Sequence, residues 1–123
     1  QEDEMKLNTI RIPCTSLKES EVFYTEHLGL LKLFGSEAEG FIGYKLDNVQ
    51  VIIEPEEKGE FESGRYLGFS IEVDNLNQFY ALLNERGFKF TGAPEEQFWG
   101  GLMTHIIDPS NNTFSIVQVE SVA

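Results

Sequence analysis

The chain carries one supersecondary pattern twice. Ile10-Arg11-Ile12-Pro13-Cys14-Thr15-Ser16-Leu17 leads to Phe23-Tyr24 and Leu28-Gly29, and Phe69-Ser70-Ile71-Glu72-Val73-Asp74-Asn75-Leu76 leads to Phe79-Tyr80 and Arg86-Gly87. Each copy is a strand-like run, a polar cap, an amphipathic helix and a glycine stop. The two glycines stand 58 positions apart, at 29 and 87, a period that fits one complete unit. A small chain that duplicates one such unit is expected to bury a shared core and to hold a site between the copies.

Within the first copy, Ile10, Ile12 and Cys14 alternate as a half-buried strand. Ser16 with Glu19 three residues on makes a capping-box pattern, and Leu17, Val22, Phe23 and Leu28 supply the helix stripe that Gly29 ends. Three short apolar runs follow, Leu30 to Phe34, Phe41 to Leu46 and Val49 to Ile53, parted by turn residues, and predict an antiparallel meander. The second copy repeats the order with a strand from Tyr66 to Val73, a helix from Leu76 to Arg86, the run Phe88-Lys89-Phe90, a loop from Thr91 to Gln97, then strands Leu102 to Ile107 and Thr113 to Val119. The organisation is therefore a single α+β domain of two βαβββ modules. Module one covers about residues 7–54 and module two about 65–119, with a Glu-, Gly-, Lys- and Pro-rich linker over about 55–64. Residues 1–6 are polar and stand outside the fold, and Met5 reads as a native start with leftover residues before it.

Composition excludes several functions. A length of 123 residues with 41% hydrophobic content suits one core. No window approaches the run of about 18 apolar residues that a membrane span needs, so a cytoplasmic protein is expected. Twenty-one acidic residues against nine basic ones, a net charge of −12, argue against nucleic acid and anionic membrane surfaces. The same charge favours a cationic ligand by steering, or serves solubility. Cys14 is the only cysteine, which rules out an internal disulfide and a Cys-rich zinc site.

On Leu17-Lys18-Glu19-Ser20 with Phe23-Tyr24 and Leu28-Gly29-Leu30, on Phe69 to Leu76, and on Asp108-Pro109-Ser110-Asn111-Asn112 running into Phe114 to Gln118, the chain resembles the vicinal-oxygen-chelate superfamily. That superfamily holds glyoxalase I, extradiol dioxygenases, methylmalonyl-CoA epimerase and bleomycin-resistance proteins. The resemblance covers roughly residues 8–119. It implies a cupped eight-stranded mixed sheet with the helices outside, and a homodimer. Metal-dependent members place His, Glu or Gln on four strands. Counting from the motifs puts those slots at Thr9, Val51, Gly68 and Ser115, none of which carries imidazole or carboxylate, so neither metal nor other cofactor is expected.

Strand alternation extends the expected cavity wall from Thr9 to Arg11, from Val51 to Ile53, from Gly68 to Ser70 and from Ser115 to Val117, with Met103 and His105 on the strand before Asp108. His105 is the candidate general base, or else a hydrogen-bonded wall residue. An inward Arg11 calls for a carboxylate or phosphate, either on a ligand or on an internal Glu such as Glu72. Trp99, in Pro94-Glu95-Glu96-Gln97-Phe98-Trp99-Gly100, resembles the groove-forming stretch of bleomycin-resistance proteins; it suits stacking on a flat or cationic ligand, or a subunit contact. The leading expectation is a metal-free small-molecule binder acting by sequestration. The competing ones are a metal-dependent lyase, isomerase or dioxygenase, a metal-independent enzyme using His105, and a non-catalytic interaction module.

Overall fold

Residues 4–119 are described by the structure, a computed structural model, and they divide after Ser63 into two compact units. The first unit contains β1 (Thr9–Cys14), a helix that is α-helical over Leu17–Glu21 (α1) and π-helical over Val22–His27, then β2 (Leu31–Ser36), β3 (Phe41–Leu46) and β4 (Val49–Pro55). The strand order is β1-β4-β3-β2, with β1 parallel to β4 and the other pairs antiparallel.

Ser16 starts the helix as expected: its backbone is extended and its hydroxyl accepts from the Glu19 amide at 3.2 Å. The π-helical stretch was not expected. There the Leu28 amide donates to the Phe23 carbonyl five residues back at 2.9 Å, which widens the last turns before Gly29 leaves at φ +73°. Phe23 and Tyr24 are thereby both turned into the core, edge to face at 4.9 Å. Tyr24 meets Tyr44 of β3, and the Tyr44 hydroxyl shares a 2.9 Å hydrogen bond with Thr25. The helix therefore covers the sheet face that carries Ile12, Ile42, Tyr44, Val51 and Ile53, all at most 3% exposed.

The second unit contains β5 (Tyr66–Glu72), α2 (Leu76–Glu85), β6 (Lys89–Phe90), β7 (Glu95–Glu96), β8 (Leu102–Ile107) and β9 (Thr113–Gln118). Its order is β5-β9-β8-β6, with β5 parallel to β9 and β7 also paired to β8. β7 lies in what the sequence reads as loop, so nine strands are described rather than eight, in two sheets. Asn75 caps α2 through the Gln78 amide, and the Gln118 side chain accepts from the Leu76 amide at 2.9 Å, fastening the helix start to β9. Leu76, Leu83, Ile106, Phe114 and Ile116 form the core under α2, with Phe69 stacked on Phe114 at 5.0 Å.

The Asp108-Pro109-Ser110-Asn111-Asn112 turn is scaffolding. Asp108 is 3% exposed, and one carboxylate oxygen accepts from the Ser110 and Asn112 amides, each at 2.9 Å. Its other oxygen accepts from the Asn112 side-chain amide, and Asn112 in turn accepts from the Gly64 amide. One carboxylate thus shapes the β8–β9 turn and, through Asn112, anchors the chain entering β5. Asp108→Ala strands buried donors and should lower the unfolding free energy by about 2–4 kcal/mol in urea denaturation. The Tyr44 phenol gives a second test. Burial pushes its pKa above the usual value near 10, so the folded state holds that proton more tightly than the unfolded chain. The resulting stabilisation is complete below about pH 10 and is lost as pH rises through the folded value. Tyr44→Phe should flatten the fall of the melting temperature above about pH 10.

Candidate functional site

In the second unit, α2 covers one face of the sheet and leaves the other open. The register sets Ser70 beside Ser115 and Ser115 beside His105, so three polar side chains form one row across β5, β9 and β8. The next row is Glu72, Val117, Met103 and Glu95. Ser115, Val117, Met103 and His105 are half-buried, and Ser70 is exposed. The His105 ring meets the edge of Tyr66 at 6.0 Å, and its Nδ1 lies 3.4 Å from the Thr91 hydroxyl.

Beside this row a cavity of about 290 Å³ is lined by Thr91, Gly92, Glu95, Gln97, Met103 and His105, among others. It exists because the chain leaves β8 after Phe90 and returns only at Glu95; the Thr91 amide bonds the His105 carbonyl, and the Thr104 hydroxyl donates to the Gly92 carbonyl. The volume is near the lower end for small-molecule pockets. Gly68 sits in the irregular stretch of β5 between its two paired segments, and a side chain there would meet open space.

Trp99 packs on its own hairpin. The β7–β8 hairpin closes with the Gln97 amide on the Gly101 carbonyl, and the half-buried Trp99 ring lies against Gly101. Trp99 is not among the residues that line the cavity. Its neighbour Phe98 is fully exposed.

The first unit requires a correction. Thr9 pairs with Gln50 and Arg11 with Ile52, whereas Val51 pairs with Ile10 and Tyr44. Tyr44 reaches the helix, so Val51 and Ile53 belong to the helix-covered core and not to the face of Thr9 and Arg11. The β4 residues on that open face are Gln50, Ile52 and Glu54. Arg11 is partnered there by Glu54, its Nε at 2.5 Å from Oε2, rather than by Glu72. Thr9 donates its hydroxyl to Asn8. The alternation of Gln50 and Glu54 against Val51 and Ile53 is the sequence signal for this register. Tyr66, Thr91, Glu95 and Gln97 were missed because they reach the second unit's open face and cavity through a bulge and a loop excursion. The helix histidine, His27, is half-buried in the last turn of the π-helical stretch.

A family model described as Glyoxalase/Bleomycin resistance protein/Dioxygenase superfamily matches residues 6–116. The chain belongs to that superfamily. A superfamily member from Sphaerobacter thermophilus DSM 20745 shares 25% identity over 94% of this chain and 98% of its own, with a TM-score of 0.82. TnmS3, an antibiotic binding protein from Streptomyces sp. CB03234, is 17% identical over 98% and 100% at 0.81. A lactoylglutathione lyase from Agrobacterium tumefaciens is 12% identical over 94% and 95% at 0.77. At these identities the last two bear on fold alone. No curated protein matches the chain by sequence.

Metal-dependent members of the superfamily need His, Glu or Gln donors on several strands. Val51 lies in the core, so the open face of β4 presents Gln50, Ile52 and Glu54 instead, with Glu54 engaged by Arg11; Thr9, Gly68 and Ser115 carry no imidazole or carboxylate, and among the described residues no three His, Cys, Asp or Glu side chains cluster. Two glycines separate floor from wall in a testable way. Gly68→Ala should change stability by less than about 0.5 kcal/mol, because nothing opposes the added methyl. Gly101→Ala drives a methyl into the Trp99 ring and the Gln118 carbonyl, and should cost more than about 1 kcal/mol with a shift in Trp99 emission.

Proposed function

We propose that the protein is a metal-free small-molecule-binding member of the glyoxalase/bleomycin resistance superfamily that sequesters a flat or cationic ligand on the open face of its second unit. The carrying observation is the row of Ser70, Ser115 and His105 beside a cavity that also presents Met103 and Glu95. Three polar points on a partly apolar wall orient a ligand, and His105 alone among them carries a strong metal-donor group, fewer than an ion needs. Tyr66, 71% exposed and edge-on to His105, offers a face for stacking. Glu72 and Glu95, both exposed, stand at the two ends of the adjoining row and favour positive charge. TnmS3, which shares the fold, is named an antibiotic binding protein, so the fold is compatible with a binding role. A homodimer in the cytoplasm completes the reading; the fully exposed Phe98 is consistent with a subunit contact.

A second reading rests on His105. Its Nδ1 faces Thr91, and Nε2 has no partner among the described residues, which leaves one ring nitrogen to exchange a proton with a ligand. In that case the protein is a metal-independent catalyst, and His105→Ala abolishes any turnover found.

Elemental analysis of protein purified without chelator, with a thermal-shift series of Ni, Zn, Mn and Fe, should give less than one bound ion per chain and no rise in melting temperature. One tightly held ion per chain would instead establish the metal-dependent alternative. Titration with a flat cationic dye such as acridine orange should show saturable binding that Tyr66→Ala and His105→Ala each weaken by about 1 kcal/mol. Undiminished binding in both variants would remove the site from this face.

A further inference from the structure

The segment 55–64, which the sequence presents as a linker, is folded for a purpose on the first unit. The Glu56 amide bonds the Cys14 carbonyl, continuing the β1–β4 ladder, and Glu57 and Phe61 then exchange two backbone hydrogen bonds of 2.8 Å each. The tight turn between them is held by the Gly59 amide on Glu62, and the Ser63 amide returns to Glu56. The result brings the half-buried Phe61 ring under Arg11, whose guanidinium carbon lies 4.6 Å from the ring centroid.

Arg11 is therefore held on two sides, by Phe61 against its flat face and by Glu54 at Nε. Its Nη1 and Nη2 end has no partner among the described residues, and the side chain is 58% exposed. A guanidinium whose Nε is already engaged still offers two parallel donors at that end, the geometry that matches a carboxylate. Fixing it beforehand removes the entropy that a free arginine loses on binding.

The surrounding face fits the same ligand. Ile52 and Gly43 lie beside Arg11 in its row, and the Phe34 ring covers Gly43, giving an apolar floor. Lys45 stands in the next row with Gln50 and Thr9, exposed and with no ion pair among the described residues. From strand spacing its Cα is roughly 12 Å from that of Arg11, a gap that two long side chains and a carboxylate can span. On the strands of this face Arg11 and Glu54 balance each other's charge and Lys45 is the remaining cation, while the adjoining turn carries Glu56, Glu57, Glu60 and Glu62 against Lys58. We infer that the open face of the first sheet is a binding site for a small monocarboxylate with an apolar body, its carboxylate on Arg11 and Lys45 and its body over Ile52 and Phe34. The inference rests on residues of the first unit alone and does not depend on the reading of the second unit's face.

The test compares 4-phenylbutyrate with its neutral amide on the full chain, by calorimetry and by ¹H–¹⁵N spectra that include the arginine Nε–H. The acid should bind about tenfold more tightly than the amide, as expected for a charge-assisted hydrogen-bond pair. It should shift the Arg11 Nε–H and the Ile52 and Gly43 amides. Arg11→Gln should equalise acid and amide, and Phe61→Leu should reduce the preference while Arg11 is still present. The dispersion of each variant's spectrum reports that it is folded. Equal binding of acid and amide to the wild-type chain would overturn the proposal. So would a preference that survives Arg11→Gln, or acid-induced shifts centred on His105.

Discussion

Each unit has one helix and one sheet, and a helix covers only one face. That constraint governs where everything else can go. In the first unit the covered face takes Ile12, Ile42, Tyr44, Val51 and Ile53, and in the second it takes Ile106, Phe114 and Ile116. Because strand side chains alternate with period two, assigning one residue to the core assigns its neighbours to the open face. Ser70, Ser115 and His105, like Arg11 and Glu54, are where they are because of the apolar residues next to them.

The same constraint explains why polar chemistry collects on the open faces without destabilising the fold. A buried Arg11–Glu54 pair would have to offset the desolvation of two ions, whereas on a partly solvated face it needs only good geometry. The buried carboxylate that does exist, Asp108, is surrounded by amide donors from its own turn and serves architecture. Buried polar groups here hold shape, and exposed ones face outward for binding.

Much of this was legible beforehand. The repeat, the Ser16 cap, both glycine stops and the resemblance to the superfamily all follow from local patterns, and local patterns report helices and turns well. Register does not come from local pattern alone. On β4 the residues Gln50, Val51, Ile52, Ile53 and Glu54 present apolar side chains on both parities, so the assignment depended on which neighbour was trusted. The count from the family motif placed Val51 beside Thr9. The two-residue turn at Asp47-Asn48 instead pairs Leu46 with Val49, which carries Val51 onto Tyr44 and into the core. A hairpin closed by so short a turn leaves its register little freedom. Tyr66 and Thr91 were beyond such reasoning, since a bulge and a loop excursion shift side chains by amounts that alternation cannot express.

The register of β4 decides what the first unit's face can do. Because Val51 lies in the core, Glu54 stands on the side of Arg11, two residues along the same parallel ladder. An arginine without a partner would have implied a ligand to neutralise it. An arginine already paired at Nε and stacked on Phe61 implies something narrower: the charge is balanced, the orientation is fixed, and what remains open is a pair of donors with a defined direction. Such a group discriminates by geometry more than by charge, because a ligand must present two acceptors in the guanidinium plane to gain both hydrogen bonds. The turn at 57–61 therefore does more than connect two units, since without Phe61 the same arginine would sample its rotamers freely and lose that selectivity.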